Sequence, residues 1–461
     1  MAPMRILRQL GSLTAVLLAV WPVATIAAER FPDKLDLVGL LRAGQFDELE
    51  ARLTTYQESF EAGRISEQIV DAAFFAFANS DLALEPRFSQ WLLRFPESYA
   101  APLARGVYYW QLGWHSRGGG YVRDTPNLRF AEMRNYFALA VPDLRLAIRL
   151  NPKLSVANGF LITLAKISGA GVSGKRTLEA GLRAVPRSAV IRGRYLFGLL
   201  PWWGGSLSEI WYFTERTKRE FPDEPGLSSL EGFYDYALAE TLSRRGEKEK
   251  AIAYFDQAIS YGENRDYYLA RGQTFYALKR YDRAIEDFSM ALNARPQVAT
   301  ILDWRARAYK RLGRYDEAFA DWDLALTIDP MAPVILLQRS NALRDKKRYR
   351  EAEADLTRAL QFGAYDSRIH NARGRLYTYH LKQYDKAILD LRRATLLAPR
   401  AARYWYNLAS AQYRKIDCEF LAAASTYVRL CKSGSQCPAN QLEWTEGALR
   451  HFSSDAECSM Q

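Results

Sequence analysis

ARGQTFYALKRYDRAIEDFSMAL, Ala270–Leu292, is followed at near-constant distance by WRARAYKRLGRYDEAFADWDLAL (Trp304–Leu326), QRSNALRDKKRYREAEADLTRAL (Gln338–Leu360) and ARGRLYTYHLKQYDKAILDLRRAT (Ala372–Thr395). A small residue recurs at Ala251, Ala284, Ala318, Ala352 and Ala387, in steps of 33, 34, 34 and 35 residues. A second small residue follows seven positions later each time, at Ala258, Ala291, Ala325, Ala359 and Ala394. Self-similarity with this period marks a stacked array, in which each unit buries its apolar face only against its neighbours.

These residues resemble the tetratricopeptide repeat, over about residues 230–430. That family takes small residues at repeat positions 8, 20 and 27, aromatics at 17 and 24, and Pro at 32. Position 17 holds Tyr281, Tyr315, Tyr349 and Tyr384; position 24 holds Phe255, Phe288, Trp322, Leu356 and Leu391. Position 32 holds Pro296, Pro330 and Pro399, whereas Glu263 and Ala364 depart from the pattern. The small residues let helix A and helix B of a unit approach closely, the aromatics fill the space between, and Pro opens the next helix without a backbone donor. The resemblance implies an all-α protein, a right-handed α-solenoid of helical hairpins.

Four units share a further pair. Position 7 holds Arg271, Arg305, Arg339 and Arg373, and position 23 of the same units holds Asp287, Asp321, Asp355 and Asp390. The flanking units carry Leu238 with Tyr254 and Leu408 with Ala424, so the pair is kept or lost as a whole. We expect an Arg–Asp ladder tying helices together, with forked charge-assisted hydrogen bonds and a structural role.

The punctuation continues towards the N-terminus, at Pro152, Pro186 and Pro222. Leu144, Ala147 and Pro152 fit positions 24, 27 and 32, and LLRAGQFDELEARL from Leu40 reads as a worn version of the same unit. A degenerate helical array is therefore expected before the clear one. Its rhythm breaks between Pro96 and Pro152, where the surplus residues fall near HSRGGGYVRDTPN, 115–127. Long loops in compact arrays often carry function, and PWWGGS, Pro201–Ser206, is a second unusual spot. LLRAGQFDELEA, WHSRGGGYV and PWWGGS, in that order, resemble the bacterial family catalogued as domain of unknown function 4034, over roughly 35–225. That likeness implies no activity or catalytic residue.

Arg5 and Arg8, an apolar stretch from Leu10 to Val23 and small residues to Ala28 have the layout of a secretory signal peptide. The apolar run is shorter than the roughly 20 residues of a spanning helix, and no other stretch suffices. Export to the periplasm or beyond is expected. Loss of residues 1–28 removes two Arg and no acids, taking the formal charge from +11 to +9. That balance favours acidic partners, without arguing for nucleic acid. With 49% hydrophobic and 25% charged residues the chain is globular.

All four cysteines, Cys418, Cys431, Cys437 and Cys458, lie near the C-terminus. An even count in an exported chain reads as disulfides. Three connectivities are possible; an antiparallel hairpin of 419–430 with 439–452 favours Cys431–Cys437 at its connection and Cys418–Cys458 at its open end. The expected organisation is a signal peptide (1–28), a degenerate helical-repeat domain (29–230), a repeat array (231–400) and a disulfide-stapled C-terminal capping repeat (401–461).

Chemical motifs are scarce. Gly169–Arg176 approaches a phosphate-binding loop, but Arg176 stands where Ser or Thr would hold magnesium, and a helical pattern precedes it. The four His, 115, 370, 380 and 451, lack a second ligand at metal spacing, so neither metal nor cofactor is implied. In the repeat family, helix A positions 2, 5, 6, 9, 12 and 13 line a concave groove. Carried onto this chain, they are Arg307, Lys310, Arg311, Arg344, Arg368, Arg375, Arg403 and Arg414, interleaved with Gln338, Asn341, Asn371, Asn407, Tyr379 and Tyr406. Arg244 and the acids Glu240, Asp266, Asp303 and Asp345 share those positions. Asn can hold an extended peptide backbone and Arg forks take carboxylates. The expectation is a non-enzymatic scaffold for a protein or extended acidic peptide, with its oligomeric state left open. Alternatives are an envelope enzyme with a site near 115–123 and 201–206 (His115, Arg117, Tyr121, Trp202 and Trp203), or a structural oligomer subunit.

Overall fold

A computed structural model describes residues 31–118, 125, 127–166 and 171–453, and from Phe31 onward the chain forms one compact unit. Only helices and their connections occur among the described residues. The first part holds α1 (Lys34–Ala43), α2 (Phe46–Glu61), α3 (Glu67–Phe75), α4 (Glu85–Arg94), α5 (Ala100–Arg117), α6 (Asn127–Leu150), α7 (Ser155–Ala165), α8 (Gly174–Ala184), α9 (Ala189–Gly198), α10 (Leu207–Glu220) and the short α11 (Ser228–Glu231). The repeats pair α12 (Phe233–Arg244) with α13 (Lys248–Ser260), α14 (Arg265–Ala277) with α15 (Tyr281–Ala294), and α16 (Ala299–Arg311) with α17 (Tyr315–Ile328). They continue with α18 (Pro333–Asp345) and α19 (Tyr349–Phe362), α20 (Ser367–Leu376) and α21 (Tyr384–Leu397), α22 (Ala402–Lys415) and α23 (Phe420–Lys432), then a last helix, α24 (Ala439–Ser453).

The repeat positions do what their chemistry requires. Ala284, Ala318, Ala352 and Ala387 are fully buried, as are Ala291, Ala325, Ala359 and Ala394. Where position 8 is Gly the helices touch closest: a Cβ on Gly272 would lie 2.8 Å from the Phe288 ring, and one on Gly374 2.6 Å from Leu391. Each helix A then ends on a left-handed residue, Gly246, Lys279, Gly313, Lys347, Lys382 or Ile416, with φ between 53° and 90°. Gly fits that turn freely, while Lys and above all β-branched Ile are strained there.

The Arg–Asp ladder is present in all four expected units. In each, Nε and Nη2 of the Arg donate to the two carboxylate oxygens at 2.6–3.0 Å. A fifth rung lies in the first part, where Arg105 Nε and Nη2 donate to Asp143 at 2.7 and 2.8 Å. Its flanking residues match as well: a Cβ on Gly106 would come 2.8 Å from Leu144. The two partners are 38 residues apart, against 16 or 17 in the array. The degenerate first part therefore contains a true repeat with an insertion.

The surplus expected near 115–127 is only in part a connection, of which 119–124 and 126 lie outside the described residues. Most of the surplus lengthens the hairpin, with 18 residues in α5 and 24 in α6 against 13 and 14 in α16 and α17. The 35-residue step from Ala352 to Ala387 is absorbed differently. Helix A of that unit ends in a π-helical turn, Tyr377–Leu381, which accommodates one extra residue without displacing helix B. The near-phosphate-loop at Gly169–Arg176 behaves as expected of an interhelix connection: α7 precedes it and Ser173 caps α8.

The start of the described chain packs back on the array. The Lys34 backbone N–H donates to Gln297 at 2.7 Å, Ser80 donates to Asp329 at 2.7 Å, and Arg295 bonds Asp71 at 2.8 Å. Arg129 lies over the Tyr365 ring at 5.5 Å. The array side of this seam is the row of connections between consecutive repeats, so successive turns of the solenoid meet edge to edge. At the other end, Cys431 and Cys437 form a disulfide in the α23–α24 connection. The expected partner of Cys418, Cys458, lies outside the described residues, as does the segment 1–30. No described helix is long and apolar enough to cross a membrane.

Candidate functional site: the face of the A helices

The groove residues lie on α16, α18, α20 and α22, the first helices of four consecutive units, and contacts between neighbours join them into one face. Lys310 Nζ reaches across to Asp345 at 2.8 Å, and Asn407 donates to Asn371 at 2.7 Å. Arg311 reaches back to the Tyr276 hydroxyl at 3.3 Å, and Arg414 lies over the Tyr379 ring at 5.3 Å. Tyr406 packs against Tyr427 and Trp444.

Ion pairing divides this set in a way spacing alone does not reveal. Arg307 is tied to buried Asp303, which also accepts from Trp322 Nε1, and it lies 4.7 Å from the Trp304 ring. Lys310 and Arg344 share Asp345, and Arg368 forks onto Asp366. Asn341 bonds the carbonyl of Leu337 in its own helix. Arg244 is paired with Glu240 and stacked on Trp202 at 4.0 Å.

Arg375, Arg403 and Arg414 have no carboxylate within ion-pair distance among the described residues. Arg403 donates to the Tyr404 hydroxyl and lies over the Tyr404 ring. Partial burial, followed by the guanidiniums of Arg344 and Arg403, disfavours the charge on Arg375. The π-helical turn sets Tyr379 beside this cluster, and it stacks His380 on Tyr349 with centroids 4.4 Å apart. Asp345, with two cations of its own, is held below the usual carboxylate range despite burial. The open end of the face is thus a field of surplus positive charge bordered by Tyr and Asn.

The second sequence candidate is partly assembled. Trp114 and Trp203 meet edge to face at 6.1 Å, so the WHSRGGG and PWWGGS segments are neighbours. His115 lines a different space, a cavity of about 590 Å³ at the seam shared with Arg129, Glu132 and Tyr365. Burial there outweighs Asp329 and lowers its proton affinity. Arg117 stacks on Phe130, and Tyr121 lies outside the described residues.

A helical-hairpin solenoid with one polar, cation-rich helix face belongs to the class of repeat proteins that present extended surfaces. Tetratricopeptide-repeat family models match residues 236–299, 299–332 and 367–400. Those stretches of the chain are tetratricopeptide repeats. No curated protein matches it. Similar solved structures include a tetratricopeptide repeat protein from Parabacteroides merdae ATCC 43184, 18% identical, covering 54% of this chain and 93% of that one with a TM-score of 0.39. YrrB, "a TPR protein with an unusual peptide-binding site", is 18% identical over 42% of this chain and 97% of its own, with a TM-score of 0.33. MamA is 17% identical over 38% and 98%, also with a TM-score of 0.33.

Proposed function

We infer that the chain is a protein–protein interaction scaffold, the role that tetratricopeptide repeats support. We propose that this one is an exported adaptor that holds an acidic or C-terminal peptide segment of a protein partner against the face of α18, α20 and α22. The observation that carries this reading is the row Arg344, Arg375 and Arg403, three guanidiniums with Asp345 as their sole paired carboxylate among the described residues. A peptide carboxylate is the natural complement, because an Arg fork binds it bidentately. Asn371 and Asn407 flank the row, mostly buried and hydrogen-bonded to each other. The reading is a binding module and not an enzyme. The signal-like segment 1–28 and the Cys431–Cys437 bridge support a periplasmic or secreted location.

The test is fluorescence anisotropy with acidic peptides carrying a free C-terminal carboxylate, set beside the same peptides amidated. Arg375→Ala with Arg403→Ala should weaken binding roughly tenfold or more, since each lost charged hydrogen bond is worth about 1.5–3 kcal/mol. Unchanged affinity in that double variant would remove the groove from consideration.

A further inference from the structure

A second concentration of cations lies inside the fold, on elements other than α18, α20 and α22. A cavity of about 350 Å³ is bounded by α3, α7, α9, the start of α14 and the end of α15. Its size is at the small end of the roughly 300–1,000 Å³ usual for small-molecule sites. Four cations line it: Lys166, Arg194, Arg265 and Arg295.

The carboxylates available to them are too few. Buried Asp71 takes both Arg295, at 2.8 Å, and Arg194, at 3.2 Å. Those two guanidiniums, with Arg265 nearby, hold its carboxyl below the usual range although burial alone would raise it. Arg265 is matched by Asp266 at 2.7 Å, and Glu263 is an exposed residue of the lining. Lys166 has no acidic partner among the described residues. Its ammonium lies 5.9 Å from the centre of the Phe197 ring, and burial with the neighbouring Arg194 charge lowers its pKa to about 7. Four cations thus face Asp71, Asp266 and the exposed Glu263 in a partly enclosed space, a surplus of positive charge whenever Lys166 is protonated. Unpaired buried charge is expensive, and an anion in the cavity would offset it. Thr163 and Gln68 add polar groups to the lining, while Phe197, Val190 and Leu230 add apolar surface.

We propose that this cavity binds a small organic anion, a carboxylate or phosphate on a compact apolar body, with Lys166, Arg194 and Arg265 taking the negative charge. The site is independent of the peptide groove. It draws on residues from opposite parts of the chain, Asp71 to Arg295, so its ligand would also tie the first hairpins to the array.

The experiment is calorimetric titration of the full mature chain with succinate, inorganic phosphate and inorganic sulfate, each at ionic strength matched with chloride. At least one probe should bind with one-to-one stoichiometry and raise Tm above the chloride control. Lys166→Met should weaken that binding roughly ten- to hundred-fold, the loss of one charged hydrogen bond. Lys166→Gln makes the same test should the Met variant misfold. Arg375→Ala with Arg403→Ala should leave the affinity unchanged, which separates this site from the groove. Sulfate keeps its charge between about pH 6 and pH 9, so its affinity should fall across that range as Lys166 loses its proton among Arg194, Arg265, Arg295, Asp71, Asp266 and Glu263. The proposal is overturned if none of the three probes binds, or if the Lys166 variants bind as the parent does.

Discussion

Replacing Arg339 by Met should destabilise the repeats more than replacing its partner Asp355 by Ala, although both substitutions break the same ion pair. Arg339 Nε and Nη2 donate to Asp355 at 2.9 and 2.6 Å, and its Nη1 reaches Asp323 at 2.5 Å. The Asp355 side chain is only 8% exposed, the Arg339 side chain 21% and Asp323 63%. Without Asp355, Arg339 keeps a carboxylate and some solvent, and the cost is near that of an exposed pair plus a little packing, about 1 kcal/mol. Without the guanidinium, Asp355 keeps its charge in a nearly closed site with no cation. Removing one partner of a buried pair costs about 3–5 kcal/mol; with the Arg end partly wet, about 3 kcal/mol is the reasoned value. Met retains most of the apolar stem, so lost packing does not explain the difference. The double variant should cost less than the sum, with a coupling of about 1–2 kcal/mol. A solenoid need not unfold in one step, so the assay is urea unfolding together with hydrogen exchange of the α18 and α19 amides. Equal costs for the two single variants would refute the reasoning, because they would show that Asp355 is not desolvated by its neighbours.

Three further outcomes follow from single features. Ile416 is left-handed at φ 61° and 76% exposed, so Ile416→Gly should stabilise the last repeat by about 1 kcal/mol, read as a higher Tm; a lower Tm would contradict the strain. The Cys431–Cys437 bridge closes a loop with a sequence separation of 6, so its reduction should cost about 2 kcal/mol, seen as faster amide exchange confined to α23 and α24. Lys166 has a folded pKa of about 7 against an ordinary 10.5, so the folded chain binds fewer protons between those values and stability rises with pH there. Without added anion, the advantage of Lys166→Met over the parent should therefore be a few kcal/mol below about pH 7 and vanish by about pH 10.5; a pH-independent difference would contradict the buried ammonium.

Legibility followed periodicity. The Ala, Tyr and Arg–Asp positions of the array repeat every 33–35 residues, and the structure uses each as its chemistry demands. The fifth rung was written just as plainly, since Ala-Arg-Gly occurs at Ala104–Gly106, Ala270–Gly272 and Ala372–Gly374. Linear spacing hides it, because the insertion in the α5–α6 hairpin carries Asp143 far from its usual place. The extra helical turns of α5 and α6 on either side of HSRGGG carry no repeat signature that would mark them as helix.

That these side chains share the face of the A helices was likewise legible, but their ion pairing was not. Asp303 and Asp345 neutralise Arg307 and Lys310 through side-chain reach, which no linear pattern encodes. The inner cavity was invisible for a stronger reason. Asp71, Lys166, Arg194, Arg265 and Arg295 have no common period, and a turn of the solenoid brings them together.

The central claim is that the face of α18, α20 and α22 meets a protein partner, and a photo-crosslinking amino acid at Tyr379 tests it most directly. Tyr379 borders the unpaired Arg375 and Arg414, whereas Leu389, on helix B of the same repeat, is 69% exposed and lies outside the proposed groove positions. Illumination of intact cells should give a discrete protein adduct from position 379, lost when Arg375 and Arg403 are also changed to Ala, and none from position 389. Adducts of equal yield from both positions, or an adduct at 379 that survives the two Arg substitutions, would contradict the account.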